Sequence, residues 1–186
     1  MTRLTLHTVD SAPESVQERL NTAVRGSGFL PNLLGILANA PVALQAYQDL
    51  SALNATASLS LAEREVVQLV AGTNNGCTFC VAGHTAIATK KAKLDPAIIA
   101  ALRSKGIPDI ADDRLQAIAV FTQTVINKHA KLDDGELNAF FEAGFTQQQA
   151  LEVIVGVGLA TICNFANNLA HTPLNEQLQE FAWEAQ

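Results

Sequence analysis

Residues 59–92 read LSLAEREVVQLVAGTNNGCTFCVAGHTAIATKKA, and the arrangement of this stretch decides the fold. Ser60 with Glu63 three residues on is the capping-box signature of a helix start, and the run that follows has helical periodicity. Asn74, Asn75 and Gly76 form a turn cluster, and a second helical run begins at or just after Cys77. If the two helices fold back antiparallel about the Asn74–Asn75 midpoint, the residue facing Glu65 is the one equally far beyond the turn, His84. At about 100° per residue, Cys77, Cys80 and His84 fall within a sector roughly 60° wide. One face then carries two thiols and an imidazole, with a carboxylate opposite. Cys77 also stands near a helix N-terminus, where unsatisfied N–H groups and the macrodipole favour a thiolate. The pattern reads as a redox-active dithiol with its proton-handling groups.

Other readings of the same residues compete. Two cysteines can pack as small apolar side chains. CxxC with His84 supplies three zinc ligands and Glu65 a fourth, although structural zinc sites usually add a second Cys or His pair, which Cys163 lacks. A structural disulfide across three residues closes too short a loop to constrain the unfolded chain much.

The rest of the chain reads as helix after helix, with no convincing alternating strand. Ser11 with Glu14 starts one helix, and Pro41 stands in the first turn of another that runs to about Leu53. Asp95-Pro96 opens a short one, Asp112 precedes the amphipathic run LQAIAVFTQTVINKHA, and Asp133 with Glu136 caps the next. Thr146 with Gln149 starts the apolar stretch ALEVIVGVGLATICNFA, and Thr172-Pro173 opens a last helix ending at Trp183. The linkers at Gly106–Pro108 and Gly144 are too short to separate domains. The expectation is one all-α domain over residues 1–186, with an N-terminal arm and first helix over 1–25 and a core over 26–175. Shifted by 87 positions, Glu65 aligns with Glu152, His84 with His171, and Cys77 and Cys80 with Asn164 and Asn167. Duplication of a helix pair and chance both account for this echo. Cys163, on the apolar stretch, reads as a small core residue, and Gly156 and Ala160 as a groove for close helix packing. His7, in the arm, and His129, near a helix end, read as structural.

Composition narrows the functions. The 186 residues suffice to bury a core without disulfides or metal. Charged residues are 16% against roughly 25% in average proteins, and hydrophobic residues 48%, so some apolar surface is expected to be covered by neighbouring subunits. A net charge of −6 makes nucleic acid a poor partner, and Lys90, Lys91 and Lys93 suit a solvated helix end. The N-terminal segment has no apolar run of a secretory signal, and the apolar stretch is shorter than the roughly 20 residues of a membrane span. No membrane partner is expected, and the reducing cytoplasm is the expected compartment, where CxxC is more often catalytic than structural.

The segment REVVQLVAGTNNGCTFCVAGHT (64–85) resembles the core signature of the alkylhydroperoxidase D-like (AhpD-like), carboxymuconolactone decarboxylase superfamily: Glu, then CxxC, then His. GFLPNLLGILANAPVALQAYQDL (28–50) and NFANNLAHTPLN (164–175) resemble flanking segments of its peroxidase-related members. The resemblance implies an all-α fold with a central helix hairpin carrying the CxxC, a homo-oligomer (trimer or hexamer), and reduction of hydrogen peroxide or small organic hydroperoxides, with a thiol or protein reductant and no cofactor or metal. Glu65, Cys77, Cys80 and His84 match the functional positions. Helix-end electrostatics favour Cys77 as the attacking thiol; the resemblance favours Cys80, with Cys77 resolving, and is followed here. Phe79 departs from the His or Tyr found between the cysteines of relatives and cannot relay a proton. The alternatives are a dithiol carrier or protein-disulfide oxidoreductase, a decarboxylase-like enzyme, against which the two cysteines argue, and a non-enzymatic oligomer.

Overall fold

The computed structural model describes residues 2–104 and 110–185. Among these residues there are helices and turns but no strand. In chain order the α-helices are α1 (Glu14–Ser27), α2 (Asn32–Leu37), α3 (Pro41–Asn54), α4 (Leu61–Asn74), α5 (Thr78–Ile87), α6 (Pro96–Leu102), α7 (Asp113–Lys128), α8 (Asp134–Glu142) and α9 (Gln147–Ala170). A π-helical turn, Ala88–Ala92, extends α5, and a 3₁₀ turn, Glu176–Phe181, follows α9. The expected linker at Gly106–Pro108 lies outside the described residues.

Helix starts follow local side-chain chemistry. Reciprocal capping boxes join Ser60 with Glu63, Asp133 with Glu136 and Thr146 with Gln149, each satisfying two backbone donors that a helix start leaves free. Asp95 and Asp112 cap α6 and α7 with single carboxylates. Two expectations need correction. Ser11 does not cap α1; Pro13 occupies that position, and the Ser11 hydroxyl closes an earlier turn by accepting from Thr8 N at 2.9 Å. After α9, Thr172-Pro173 does not open a helix; His171 takes a left-handed conformation (φ 52°), and helical turns resume only at Glu176.

Helix α4 is the centre of the molecule, packed against α5, α7 and α9. One apolar cluster lies around its Val66, Leu69 and Val70 and includes Ile118, Phe121, Phe140 and Phe145, with the Phe140 ring stacked between the rings of Phe121 and Phe145 at 3.9 and 4.3 Å. Arg114 pins α7 to α4, donating to Glu63 at 2.6 Å while lying over the Phe145 ring. On the other side α9 approaches closely because Gly156 has no side chain; a Cβ there would stand 2.9 Å from Val67 Cγ1, and Gln68 donates to the Gly156 carbonyl at 2.9 Å. A second apolar cluster joins Val16 and Leu20 of α1, Leu33, Leu34 and Leu37 of α2 and Leu44 of α3 to Cys77, Phe79, Cys80 and Cys163. The thiols therefore lie in the core between α1–α3 and the hairpin.

The echo between residues 65–84 and 152–171 is not a repeated hairpin. The counterpart of the Asn74–Gly76 turn lies inside α9, which runs unbroken, and Glu152 points to the loop before α4, accepting from Ser58 N at 2.9 Å and Ser58 Oγ at 2.8 Å.

Candidate active site

The hairpin turn is built by backbone conformation. Asn75 ends α4, Gly76 takes φ +60°, a left-handed conformation that glycine adopts without steric cost, and Cys77 is extended at the start of α5. Cys77 is therefore the cap of α5 rather than a residue of its first turn, and its Sγ accepts from Cys80 N at 3.3 Å. Across the hairpin, His84 Nδ1 donates to Glu65 Oε2 at 2.8 Å. The structure thus brings all four sequence-chosen residues to one place: Glu65 on α4, and Cys77, Cys80 and His84 on or next to α5.

The thiols are reduced and buried, Cys77 at 0% and Cys80 at 4% exposure. Three further residues, distant in sequence, complete the surroundings. Asn167 of α9 donates its Nδ2 to Cys80 Sγ at 3.3 Å. Cys163, one turn earlier on the same buried side of α9, places its thiol beside Cys80 and is part of the site as well as of the core. Tyr47 of α3 packs against the same cluster, and burial with the nearby Cys163, Cys80 and Glu65 pushes its phenol well above the ordinary range. Asn75 ties the turn to α9, donating to Asn164 Oδ1 at 2.9 Å and accepting at its carbonyl from Asn168 at 2.8 Å.

The electrostatics separate the two CxxC thiols. Cys80 is held below the ordinary thiol range by the adjoining Cys163 and then Cys77 thiols, aided by the Asn167 amide and the charge of His84, against the opposing effect of burial. Cys77 is pushed up, first by the adjoining Cys80 side chain, then by burial and the Cys80 charge. Cys163 moves up for the same reasons. The neighbours of Cys80 favour its thiolate, against the helix-end preference for Cys77. Burial alone would lower His84, but the charge and hydrogen bond of Glu65, with the charge of Cys80, raise it. Among the described residues, no group of three His, Cys, Asp or Glu side chains is placed to hold a metal ion.

An all-helical chain that buries two free thiols at a helix start, with a histidine one turn on that pairs with a glutamate of the facing helix, is a dithiol protein of the helix-hairpin type. Residues 41–123, which contain that hairpin, match the model of the carboxymuconolactone decarboxylase family. Over that stretch the chain is similar to this family, and its fold is of the AhpD type. The fold is similar to that of an uncharacterized peroxidase-related protein with an AhpD core from Ralstonia eutropha JMP134, with TM-score 0.85 and 22% identity over 95% of this chain and 94% of that one. A second uncharacterized peroxidase-related protein, from Silicibacter sp. TM1040, has TM-score 0.82 and 21% identity over 95% of this chain and 93% of its own. The debrominase Bmp8, in a variant bound to 2,3,4-tribromopyrrole, has TM-score 0.77 and 16% identity over 97% of this chain and 96% of its own. At these identities the likeness shows a shared fold. Among proteins of curated function, no sequence matches the chain.

Proposed function

We propose that this protein is a thiol-dependent peroxidase that reduces hydrogen peroxide or small organic hydroperoxides through a Cys77/Cys80 dithiol–disulfide cycle. The observation that carries this reading is the placing of Cys77 and Cys80 together at the start of α5, with the Asn167 amide donating to Cys80 Sγ at 3.3 Å and the Glu65–His84 pair across the same hairpin. The Cys80 thiolate attacks the distal oxygen of R–O–O–H. The S–O bond forms, the O–O bond breaks, and the departing RO⁻ takes a proton from His84, held protonated by Glu65. Cys77, still a thiol, then attacks the sulfur of the Cys80 sulfenic acid, giving the disulfide and water. A dithiol reductant resets the pair by exchange.

Burial favours this reading over a protein-disulfide oxidoreductase. A small oxidant can reach thiols 0% and 4% exposed through a cavity, whereas the disulfide of a folded protein needs a sulfur at the surface. Reduced protein mixed with one equivalent of hydrogen peroxide is expected to consume it and lose two hydrogens, with a Cys77–Cys80 disulfide in the peptide map. Inertness to peroxides with fast exchange against protein disulfides would give the site to the oxidoreductase.

We also propose that the chain self-associates through α9. Leu151, Val155, Phe165 and Leu169 are exposed and fall within a sector roughly 80° wide at 100° per residue, opposite the side that carries Cys163 and Asn167. Helix α9 is longer than the apolar stretch of the sequence suggests, long and apolar enough by length and composition to cross a membrane; its inner side is packed against α2, α3, α4 and α5. Sedimentation at micromolar concentration is expected to show a trimer or hexamer, and Phe165→Glu with Leu169→Glu to dissociate it. A monomeric native protein would contradict the proposal.

A further inference from the structure

Asn167 is 3% exposed, and only half of its carboxamide is used: Nδ2 donates to Cys80 Sγ at 3.3 Å, while Oδ1 is buried with no hydrogen-bond partner. Thr172 Oγ1 is likewise buried and unpartnered. Buried polar atoms are rarely left so, and each calls for an explanation, a catalytic role among them. Both residues line the same cavity of about 430 Å³, with Thr78, Phe79, Asn168 and His171. The cavity lies between the start of α5 and the end of α9, so its inner wall is the residue that touches the Cys80 sulfur.

We propose that this cavity is the hydroperoxide chamber and that Asn167 seats the substrate on Cys80. The inference rests on the thiol-peroxidase reading. A hydroperoxide O–H donated to Asn167 Oδ1 brings its oxygen, the distal one, next to the sulfur that Nδ2 of the same carboxamide holds. One planar group thereby orients both reacting atoms: Nδ2 keeps the thiolate in place, and Oδ1 accepts the proton-bearing end of the oxidant. Attack then forms the S–O bond to that oxygen and expels RO⁻ away from Asn167; two electrons pass from sulfur to the O–O bond, and the hydrogen stays on the new sulfenic oxygen. Thr172 Oγ1 offers a second polar contact to the substrate. Five of the six lining side chains are polar and Phe79 is the apolar wall, so the chamber suits hydrogen peroxide and short, polar alkyl hydroperoxides. Phe79, unable to relay a proton, acts here by shape.

The test compares two reagents for the same thiol. Peroxide consumption and alkylation by iodoacetamide are measured by stopped flow and quenched mass spectrometry across pH, each rate divided by the thiolate fraction. Asn167→Ala is expected to slow alkylation only as far as its thiolate fraction falls, but to slow peroxide oxidation by about 10²-fold further, the size of a lost alignment. Thr172→Val, which keeps the side-chain shape, is expected to give a smaller loss in the same direction. Thr78→Trp, at an exposed position where folding is not at stake, is expected to close the mouth and slow both reagents. The native protein is expected to react faster with hydrogen peroxide than with cumene hydroperoxide. Equal losses for both reagents in Asn167→Ala would leave Asn167 as a thiolate partner only and overturn the seat. Unchanged rates in Thr78→Trp would move the access route to the side of Tyr47 and overturn the chamber, a result that stands even if Asn167→Ala fails to fold. A native protein that consumes no peroxide would remove the peroxidase reading itself. The reverse preference, for cumene hydroperoxide, would overturn the assignment of polar substrates.

Discussion

Cys80→Ser is expected to abolish peroxide consumption, a loss of about 10⁴-fold or more on the scale of nucleophile knockouts, while Cys77→Ser keeps the first step. The asymmetry follows from the hydrogen bonds around the two sulfurs. Cys80 receives the Asn167 amide and is lowered by its neighbours, so its thiolate is the favoured one; Cys77 is raised by burial and the Cys80 charge and stays a thiol. A Cys77→Ser protein should therefore consume one equivalent of peroxide and hold a sulfenic acid on Cys80. Cys163 lies beside Cys80, so the trapping is to be made with Cys163→Ala in addition, where no other thiol adjoins the new sulfenic acid. Mass spectrometry should show one added oxygen on Cys80. A sulfenic acid on Cys77 in the Cys80→Ser protein would overturn the assignment and return the choice to helix-end electrostatics. The rate of Cys80 alkylation should rise with pH around a midpoint below the roughly 8.5 of an ordinary thiol, and removing the Asn167 amide, which donates to Cys80 Sγ at 3.3 Å, should move that midpoint up.

The sequence makes the hairpin legible because every instruction for it is local. The capping box at Ser60 sets where α4 begins, Asn75 and Gly76 set where it stops, and equal spacing on both sides of the turn makes Glu65 face His84, which meet at 2.8 Å. What surrounds the thiols is not encoded that way. Asn167 and Cys163 reach Cys80 only because α9 packs across the hairpin at Gly156, and Tyr47 only because α3 closes the other side. Separations of 87 residues, as between Cys80 and Asn167, leave no periodicity to read. The internal echo aligns Asn164 and Asn167 with the two cysteines. The two segments touch, but α9 does not repeat the hairpin. Cys77 illustrates a smaller limit: a helical projection puts it on the face of α5, while a cap residue is extended and turns its sulfur back to the Cys80 amide.

The second large effect is expected at the Glu65–His84 pair. Glu65→Gln and His84→Ala should retain both thiols yet slow oxidation by about 10²–10⁴-fold, the usual contribution of a general acid or base. Ordinary values, about 8.5 for Cys and 6.5 for His, leave almost no pH at which thiolate and imidazolium coexist. The site reverses that order, with Cys80 lowered and His84 raised. The pH–rate profile should then be a bell whose rising limb is Cys80 and whose falling limb is His84. Glu65→Gln removes the charge that raises His84, so the falling limb moves to lower pH and the bell narrows. Stability follows with opposite signs. The His84 contribution is complete below about pH 6.5, the unfolded value, and is lost as pH rises through the raised folded value. The Cys80 contribution is complete above about 8.5 and is lost as pH falls through the lowered one. Of the two variants Glu65→Gln is the cleaner, since His84→Ala leaves a carboxylate 5% exposed without its partner, a change that costs about 3–5 kcal/mol on its own. Its melting temperature therefore has to be measured beside its rate. Unchanged rates and an unchanged bell in Glu65→Gln would sink the relay and leave Asn167 and the neighbouring thiols as the groups that activate Cys80.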